Sequence, residues 1–263
     1  MKLLTLNCHS WLENNQIEKI EYLAKVIVEK KYDVIALQEV SQSFNKNFKE
    51  NNLREDNYAL ILREKIKALG GDFYNLIWDY SHIGYGKYEE GLCILSKHKI
   101  KDSESFYISK SHSKENWKSR KIVKASIEIK GEVLDFYSCH LGWWKDCEEK
   151  FEFQVDNLIL KLKESKNRAF LMGDFNNNAF LRGEGYDLLK EKGLFDTFDL
   201  AEKRDSGVTV DKGIDGWEKN KEPLRIDIVF TNKSTKVYES KVIFNGKNRD
   251  VVSDHFALEV YLR

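Results

Sequence analysis

Leu171-Met172-Gly173-Asp174-Phe175-Asn176-Asn177-Asn178 is the stretch that decides the fold. The apolar run 169–172 predicts a buried strand that ends at a glycine, an acid and a row of amides. Two residues apart on an extended chain, the side chains of Asp174 and Asn176 point to the same side and are able to hold one water molecule or one phosphoryl oxygen together. A strand followed by an Asx-type turn explains the same residues, so the rest of the chain decides between the two interpretations.

Further apolar strands also end in, or carry, a polar group. These groups are Asn7, Glu39, His140, Asp227, and Asp254 with His255. A single buried acid such as Asp227 is often part of a structural ion pair, but several acids at strand ends repel one another and need a cation. Because the donors are oxygens and amides, Mg²⁺, with Mn²⁺ as an alternative, fits better than zinc.

Composition places limits on the class of protein. The 263 residues, 41% hydrophobic and 33% charged, are enough for one large α/β or β-sandwich domain or for two small ones. Forty-three basic and 43 acidic residues give no net charge, which disfavours a non-specific nucleic-acid binder, although a local basic groove stays open. No signal peptide or membrane span is recognisable, and the four cysteines lack CxxC spacing. We therefore expect buried free thiols and a cytoplasmic location.

Hydrophobic periodicity predicts alternating strands and helices. The predicted helices are 17–28, capped by Asn14 or Asn15, then 58–69, 148–163 and 186–192. The predicted strands are 2–7, 34–39, 74–78, 92–95, 104–108, 121–129, 133–140, 169–174, 224–231, 236–244 and 255–262, with a glycine- and tyrosine-rich loop at 81–91 and a polar segment from 193 to 223. A loose strand–helix–strand echo in each half favours two stacked sheets with helices outside, in one domain over residues 1–263.

The two histidines suit phosphate chemistry. A histidine such as His140, taken alone, is more often a hydrogen-bonded core residue. His255 follows Asp254, and an acid such as Asp227 would fix its tautomer and its charge. A charged imidazole and a metal ion would together stabilise the negative charge that develops in phosphoryl transfer.

Four motifs resemble those of the endonuclease/exonuclease/phosphatase (DNase I-like) superfamily, in the same order and over nearly the whole chain. They are Leu37-Gln38-Glu39, Gly173-Asp174-Phe175-Asn176, Arg225-Ile226-Asp227 and Ser253-Asp254-His255. The resemblance implies an α/β fold, a four-layer α-β-β-α sandwich of two stacked mixed sheets flanked by helices. It also implies metal-dependent hydrolysis of a phosphate ester.

The resemblance also assigns roles. Glu39 would bind the metal with help from Asn7, and Asp254 would be the late acid near the metal. Asp174 would orient or deprotonate the attacking water, and Asn176 and His140 would contact the phosphate. Asp227 would orient His255. One departure disfavours a repair nuclease: the abasic-site enzymes carry an acid where this chain has His9, and a tyrosine where it has His140.

Within the superfamily, the stretches 8–11, 81–85, 139–144 and 178–186 are similar to the bacterial maltose 6'-phosphate phosphatases. This likeness implies a small phosphorylated sugar such as maltose 6'-phosphate as the substrate. The substrate-binding candidates are Tyr85, Trp143 and Trp144 for stacking on sugar, with Trp11 and Tyr88 as further rings, Glu89 or Glu90 for hydroxyl groups, and Arg120 in the stretch 117–121 for the phosphate. Core or rim packing explains each tryptophan equally well, as a solvated hairpin edge explains the basic stretch.

Three rival functions remain. A sphingomyelinase-like phosphodiesterase would need an exposed apolar hairpin or an amphipathic membrane helix, and the sequence shows neither. A nuclease is disfavoured by the zero net charge. An inactive scaffold is disfavoured because every expected acid, amide and histidine is present. We expect no nucleic-acid partner and no stable membrane association; the exact substrate, the number of metal ions, the general base and the oligomeric state stay open.

Overall fold

The computed structural model describes residues 1–214 and 216–263. Most strands of the described residues belong to two large sheets. The strands are β1 (Lys2–Asn7), β2 (Val34–Ser43), β3 (Phe48–Glu50), β4 (Leu53–Arg54), β5 (Asn75–Gly84), β6 (Tyr88–Ser96), β7 (Ile100–Tyr107), β8 (Lys121–Ile129), β9 (Glu132–His140), β10 (Arg168–Asp174), β11 (Phe195–Asp196), β12 (Ala201–Arg204), β13 (Asp227–Thr231), β14 (Val237–Ile243) and β15 (Ala257–Leu262). The helices are α1 (Gln16–Lys30), α2 (Tyr58–Ala68), α3 (Phe151–Lys163), α4 (Gly185–Glu191) and α5 (Thr197–Leu200).

Both large sheets are mixed. The first has the strand order β12-β14-β15-β1-β2-β6-β5, with β1 parallel to β2 and β12 parallel to β14. The second has the order β11-β13-β10-β9-β8-β7, with β9 parallel to β10. The remaining strand pairs within the two sheets are antiparallel.

Three apolar clusters hold four layers together. Between the sheets, residues such as Leu3 and Ala36 of the first sheet pack with Phe136 and Met172 of the second. Helices α1 and α2 cover the outer face of the first sheet, and α3 and α4 cover the outer face of the second. The predicted α-β-β-α sandwich is confirmed, and the single domain over residues 1–263 stays a prediction.

Helix α1 shows why the periodic pattern predicts its position well and its cap poorly. Ile20, Leu23 and Ile27 recur at helical spacing and are all buried, so this face packs on the sheet. The residue before the helix, Asn15, has a left-handed backbone with φ 54°, and its side chain makes no cap hydrogen bond. The predicted asparagine cap is therefore wrong for α1.

Several boundaries also differ from the sequence prediction. The predicted loop 81–91 is the end of the β5–β6 hairpin, because cross-strand pairing continues as far as Gly84 and Tyr88. The polar segment after 193 contains β11, α5 and β12, and the third long helix begins at Phe151. Cys8, Cys93 and Cys139 are buried free thiols as expected, whereas Cys147 is exposed.

Candidate active site

The register of the strands brings the predicted polar residues to one edge of the sandwich. Asp174 lies opposite His140 in the parallel pair β9–β10 and opposite Asp227 in the antiparallel pair β10–β13. Gly173, the residue before Asp174 in β10, lies very close to β9. A Cβ at this position would lie only 1.9 Å from the Cys139 carbonyl oxygen. Only glycine fits at that point, where φ is 151°.

Asn7 joins the two sheets at the site. Its Nδ2 donates to Glu39 Oε1 at 2.8 Å and to Asp174 Oδ2 at 3.2 Å. Asn7 is 0% exposed and Asp174 is 1% exposed, so these contacts lie beneath the protein surface. The backbone N–H of Asn176 donates to the other oxygen of Asp174, Oδ1, at 2.8 Å. One amide thus orients a carboxylate from each sheet.

Four non-glycine residues at the site have left-handed backbones. They are His9 with φ 44°, Glu39 with φ 50°, Tyr85 with φ 53° and Asn176 with φ 49°. Glu39 stands at the register shift between Leu37 and Val40, where β2 bulges against β6. Such conformations cost energy and persist where the surrounding contacts enforce them, which happens most often at functional sites.

Of the two histidines at the site, His140 and His255, His255 is the charged one. Its Nδ1 lies 2.9 Å from Asp227 Oδ2, and its Nε2 lies 3.9 Å from Asp174 Oδ2. Burial disfavours the charged imidazole, but the carboxylates of Asp227, Asp174 and Asp254 outweigh burial and raise the pKa of His255 well above its usual value. His255 is therefore an imidazolium at neutral pH.

His140 has the opposite charge state. Its Nε2 lies 3.6 Å from Asp174 Oδ2 and 4.0 Å from Glu39 Oε1. Burial, followed by the charges of Arg120 and His255, lowers the pKa of His140 well below its usual value. One site thus holds a neutral and a charged imidazole, an arrangement suited to separate acid–base roles.

Burial and mutual repulsion raise the pKa values of two acids at the site. Burial and the neighbouring carboxylates of Glu90 and Asp254 raise the pKa of Glu39 to about 8. Burial also raises the pKa of Asp174 to about 7, with a further contribution from Asp227. Asp227 Oδ1 is buried without a hydrogen-bond partner among the described residues. This oxygen-rich donor set fits a hard divalent cation, which would offset the mutual repulsion of the acids.

In the part of the chain that the structure describes, two groups of ligand atoms converge closely enough to bind a metal ion. One comprises Asp174, Asp227 and His255, and the other comprises His9, Glu13 and Asp254, with the ligand atoms of each group within 4.8 Å of one another. His9 Nδ1 lies 2.7 Å from Glu13 Oε1 and 3.7 Å from Asp254 Oδ2. The structure thus places the predicted ligand Asp254 beside His9. The negative charge of Asp254 contributes to the raised pKa of the predicted ligand Glu39.

A cavity of about 520 Å³ opens above these residues. Its floor includes Glu39, His140, Asp174, Asn176 and His255, whereas Asn7 and Asp227 lie beneath it with no exposed area. The walls and rim are formed by His9, His82, Ile83, Gly84, Tyr85, Gly86, Glu90, Glu115, Trp117, Arg120, Trp143, Gly216, Glu218 and Asp254.

Some of the predicted aromatic residues line the cavity, and others do not. Tyr85 and Trp143 are among the described residues that line it. Trp144 is not: its ring packs edge-on against Phe151 with centroids 6.2 Å apart, in the core under α3. Trp11 packs against Tyr58 in the core under α1 and α2, again away from the lining.

Among the polar candidates, Glu90 lines the cavity and Glu89 does not. Glu89 instead accepts from Arg54 Nε at 2.9 Å and from Gln42 Nε2 at 2.7 Å. Glu90 Oε1 lies 3.3 Å from His82 Nε2, and this hydrogen-bonded partner lowers the pKa of Glu90 although burial opposes the shift. Tyr88 also lies outside the described lining.

Arg120 is a buried cation without an ion-pair partner among the described residues. It is 4% exposed, its Nε has no hydrogen-bond partner, and its guanidinium lies 5.5 Å from the centroid of the Trp143 ring. Burial lowers the pKa of Arg120 in spite of the carboxylates nearby. A buried guanidinium that lines a cavity is suited to bind an anion there.

Sequence reasoning missed several residues at the site. Glu115 and Glu218 carry no periodic or motif signal, and His82 stands in the stretch 81–85 but without a predicted role. Trp217, whose Nε1 donates to Asn176 Oδ1 at 3.0 Å, stands in the polar segment that predicts no element. Trp117 was recognisable only as the neighbour of the basic residues in 117–121.

Comparisons with known proteins point to one family. Residues 5–255 match the Endonuclease/Exonuclease/phosphatase family. The structure is similar to an endonuclease/exonuclease/phosphatase family protein from Leptotrichia buccalis C-1013-b, with 45% identity, a TM-score of 0.93, and 100% of this chain and 99% of that chain covered. No curated protein matches the sequence.

More distant structures share the fold. A mannosyl-6-phosphatase from Bacteroides thetaiotaomicron VPI-5482 has 20% identity, a TM-score of 0.72 and coverage of 100% of this chain and 99% of that chain. A beta toxin from Staphylococcus aureus has 17% identity, a TM-score of 0.69 and full coverage, 100% of both chains. Among the described residues, no helix has the length and apolar character needed to span a membrane.

Proposed function

This chain belongs to the endonuclease/exonuclease/phosphatase family, and on that premise we propose that it is a divalent-metal-dependent phosphatase acting on a small phosphorylated sugar, with maltose 6'-phosphate as the specific candidate. The observation that carries the proposal is the cavity floor. There, the Nε2 atoms of His140 and His255 lie 3.6 Å and 3.9 Å from Oδ2 of the buried Asp174, and further carboxylates stand beside them.

Asn7, Glu39 and Asp254 would hold the metal ion, Mg²⁺ or Mn²⁺. When bound, the ion supplies positive charge that polarises a phosphoryl oxygen. The fit rests on the donor set of carboxylate oxygens. Burial, followed by the repulsion of the Glu90 and Asp254 carboxylates, raises the pKa of Glu39 to about 8.

The remaining residues of the floor have distinct tasks. Asp174, with its pKa raised to about 7, orients the attacking water and accepts its proton. The imidazolium of His255, held by Asp227 at 2.9 Å, donates to a phosphoryl oxygen as charge develops. Asn176 and His140 contact the phosphate as neutral hydrogen-bonding groups.

The residues of the cavity walls are suited to bind a phosphorylated sugar. A monoester carries nearly two negative charges at neutral pH, which suits the metal ion, His255 and Arg120 together. Trp143 and Tyr85 offer ring faces to the sugar. The fold similarity to a mannosyl-6-phosphatase supports the same substrate class. We further propose a cytoplasmic protein without a nucleic-acid or stable membrane partner, supported by its three buried free thiols and its zero net charge.

The test is a panel of phosphoesters with Mg²⁺, with Mn²⁺ and with chelator. The panel contains maltose 6'-phosphate, glucose 6-phosphate, sphingomyelin and a DNA duplex. We expect metal-dependent release of phosphate, with the highest kcat/KM for the disaccharide. A higher kcat/KM for sphingomyelin or DNA would replace the phosphatase with a phosphodiesterase or a nuclease, and full activity in chelator would exclude metal dependence.

A further inference from the structure

The outer part of the cavity is built differently from its floor. Tyr85, Glu115, Trp117, Trp143 and Glu218 form it, and we call this set the aromatic–acidic mouth. Its members come from the β5–β6 turn, the β7–β8 connection, the segment after β9 and the segment before β13. Four distant parts of the chain thus place aromatic and acidic side chains at this opening.

Two rings of the mouth, Trp117 and Tyr85, are exposed, and Trp143 is half-buried. Trp117 is 53% exposed, and its ring meets Trp143 edge to face with centroids 5.9 Å apart. The backbone of Gly216 lies against Trp143, because a Cβ there would be 2.6 Å from its Cζ2. Tyr85, 62% exposed, stands on another wall. Large exposed rings around a cavity are typical of a ligand-binding surface.

The charge of the mouth is negative. Glu115 and Glu218 are exposed carboxylates, and Glu90 lines the cavity further in. Among the described residues of the lining, Arg120 is the only arginine or lysine, and it is buried. Lys118 approaches the Trp117 ring, at 5.6 Å from the centroid, but it does not line the cavity and forms an ion pair with Asp146 at 2.9 Å. A second anionic group on a substrate would therefore meet carboxylates.

We propose that the aromatic–acidic mouth is a subsite for the uncharged, polyhydroxylated part of the leaving group. This part is a neutral sugar ring attached to the phosphorylated one. The apolar C–H face of such a ring packs on Trp117 and Trp143, and its hydroxyls donate to Glu115 and Glu218. The same carboxylates select against substrates with a second anionic group. The inference rests on the proposed function and assigns the part of the substrate that the catalytic floor does not contact.

A quaternary ammonium group is the other ligand that aromatic rings and acids attract. In this structure the guanidinium of Arg120 already lies 5.5 Å from the centroid of the Trp143 ring, and the ammonium group of Lys118 already lies near the Trp117 ring. These contacts favour the neutral sugar over a choline-type cation.

The experiment compares kcat/KM for maltose 6'-phosphate, glucose 6-phosphate, glucose 1,6-bisphosphate and phosphocholine. We expect Trp117→Ala to lower the ratio of maltose 6'-phosphate to glucose 6-phosphate about three- to tenfold, mainly through KM, since one stacking contact is worth that much. We expect the double variant Glu115→Gln/Glu218→Gln to raise the ratio of the bisphosphate to glucose 6-phosphate about two- to fivefold at low salt, and less at high salt.

Phe73→Ala and Glu152→Gln are the matched controls, because both residues are exposed and lie outside the lining. Neither control should change the two ratios. A wild type without any phosphatase activity overturns the proposed function and this inference together. A wild-type phosphatase whose ratios are unchanged in the mouth variants, or which prefers phosphocholine, overturns the inference alone.

Discussion

The indole N–H of Trp217 donates a hydrogen bond to Oδ1 of Asn176 at 3.0 Å, across 41 positions of sequence. The other end of the same carboxamide, Nδ2, donates to the Leu141 carbonyl at 3.0 Å. These two contacts fix the orientation of Asn176. They leave one hydrogen of its Nδ2 for a phosphoryl oxygen, because a carboxamide nitrogen carries two.

We expect Trp217→Phe to lower kcat about tenfold with a smaller effect on KM, since residues that orient an active-site ligand typically contribute at least that factor. Trp217 acts here as a positioning residue. Trp78→Phe is the control, because it loses a similar indole hydrogen bond, to the Val40 carbonyl, outside the cavity lining. An equal loss of kcat in both variants, or a change in KM alone, would contradict the positioning role.

The floor of the site was predictable from the sequence, and the walls only in part: Tyr85, Trp143 and Arg120 were among the candidates, whereas Glu115 and Glu218 were not. Asn7 and Asp174 end apolar runs, and the pairing of buried strands brings such ends to one edge. The walls depend on contacts between distant segments, such as the bridge between Val210 and Leu224 beside the segment that carries Trp217. No local periodicity records such contacts.

Local geometry and strand pairing explain why some residues differ from the sequence prediction. Trp143 and Trp144 stand at a turn in which the Asp146 N–H donates to the Trp143 carbonyl at 3.2 Å, and no periodic pattern predicts which of the two rings then faces the cavity. Glycine and tyrosine in 81–91 favour a loop locally, but pairing between β5 and β6 continues through most of that stretch. Tertiary pairing thus overrides local preference.

The raised pKa of Glu39 predicts the pH dependence of stability in metal-free protein. The pKa rises from 4.5 to about 8 on folding, so the penalty for the buried charge begins above pH 4.5 and is complete above about 8. In chelator, Glu39→Gln should therefore melt above the wild type, with a difference that grows from pH 5 to pH 8. Thermal melting at several pH values measures it.

The same variant tests the metal ligand. Mg²⁺ should raise the melting temperature of the wild type by mass action and leave Glu39→Gln nearly unchanged, because a charged ligand is lost. Glu152→Gln, on the exposed first turn of α3, serves as the control. Equal stabilisation of the wild type and Glu39→Gln by Mg²⁺ would remove Glu39 from the metal site.

His255 and Asp227 should behave as one catalytic unit. We expect His255→Ala to lower kcat by about 10² or more and Asp227→Asn to approach that loss, because the imidazolium depends on the carboxylate 2.9 Å away. The double variant should be no worse than His255→Ala alone. Additive losses in this double-mutant cycle would show that the two residues act independently.

Asp174→Asn should also lower kcat by about 10² or more, since the amide cannot accept the proton of the attacking water. The fold should persist, because an asparagine Oδ1 still accepts the backbone N–H that Asn176 donates at 2.8 Å. Circular dichroism and melting check the fold, and single-turnover kinetics measure the chemical step. Wild-type kcat in this variant would assign a structural role to Asp174.

Arg120 and Arg225 are two buried arginines with opposite expected effects on stability. They are 4% and 5% exposed, but Arg225 Nη1 lies 2.8 Å from Asp196 Oδ2, whereas Arg120 has no ion-pair partner among the described residues. Arg120→Met removes an unpaired buried charge and should raise the melting temperature of the free protein. Arg225→Met leaves Asp196 buried and unpaired and should destabilise by about 3–5 kcal/mol.

The kinetic effect should separate the two arginines as well. Arg120→Met should raise KM for every phosphomonoester about tenfold, because hydrogen bonds to a charged group contribute that much, whereas Arg225→Met should leave KM unchanged in the folded fraction. Together, a gain in stability and a loss of substrate affinity would identify Arg120 as a cation kept unpaired for an anionic ligand. If Arg120→Met instead melts below the wild type with its KM unchanged, Arg120 stabilises the fold and another group must bind the phosphate.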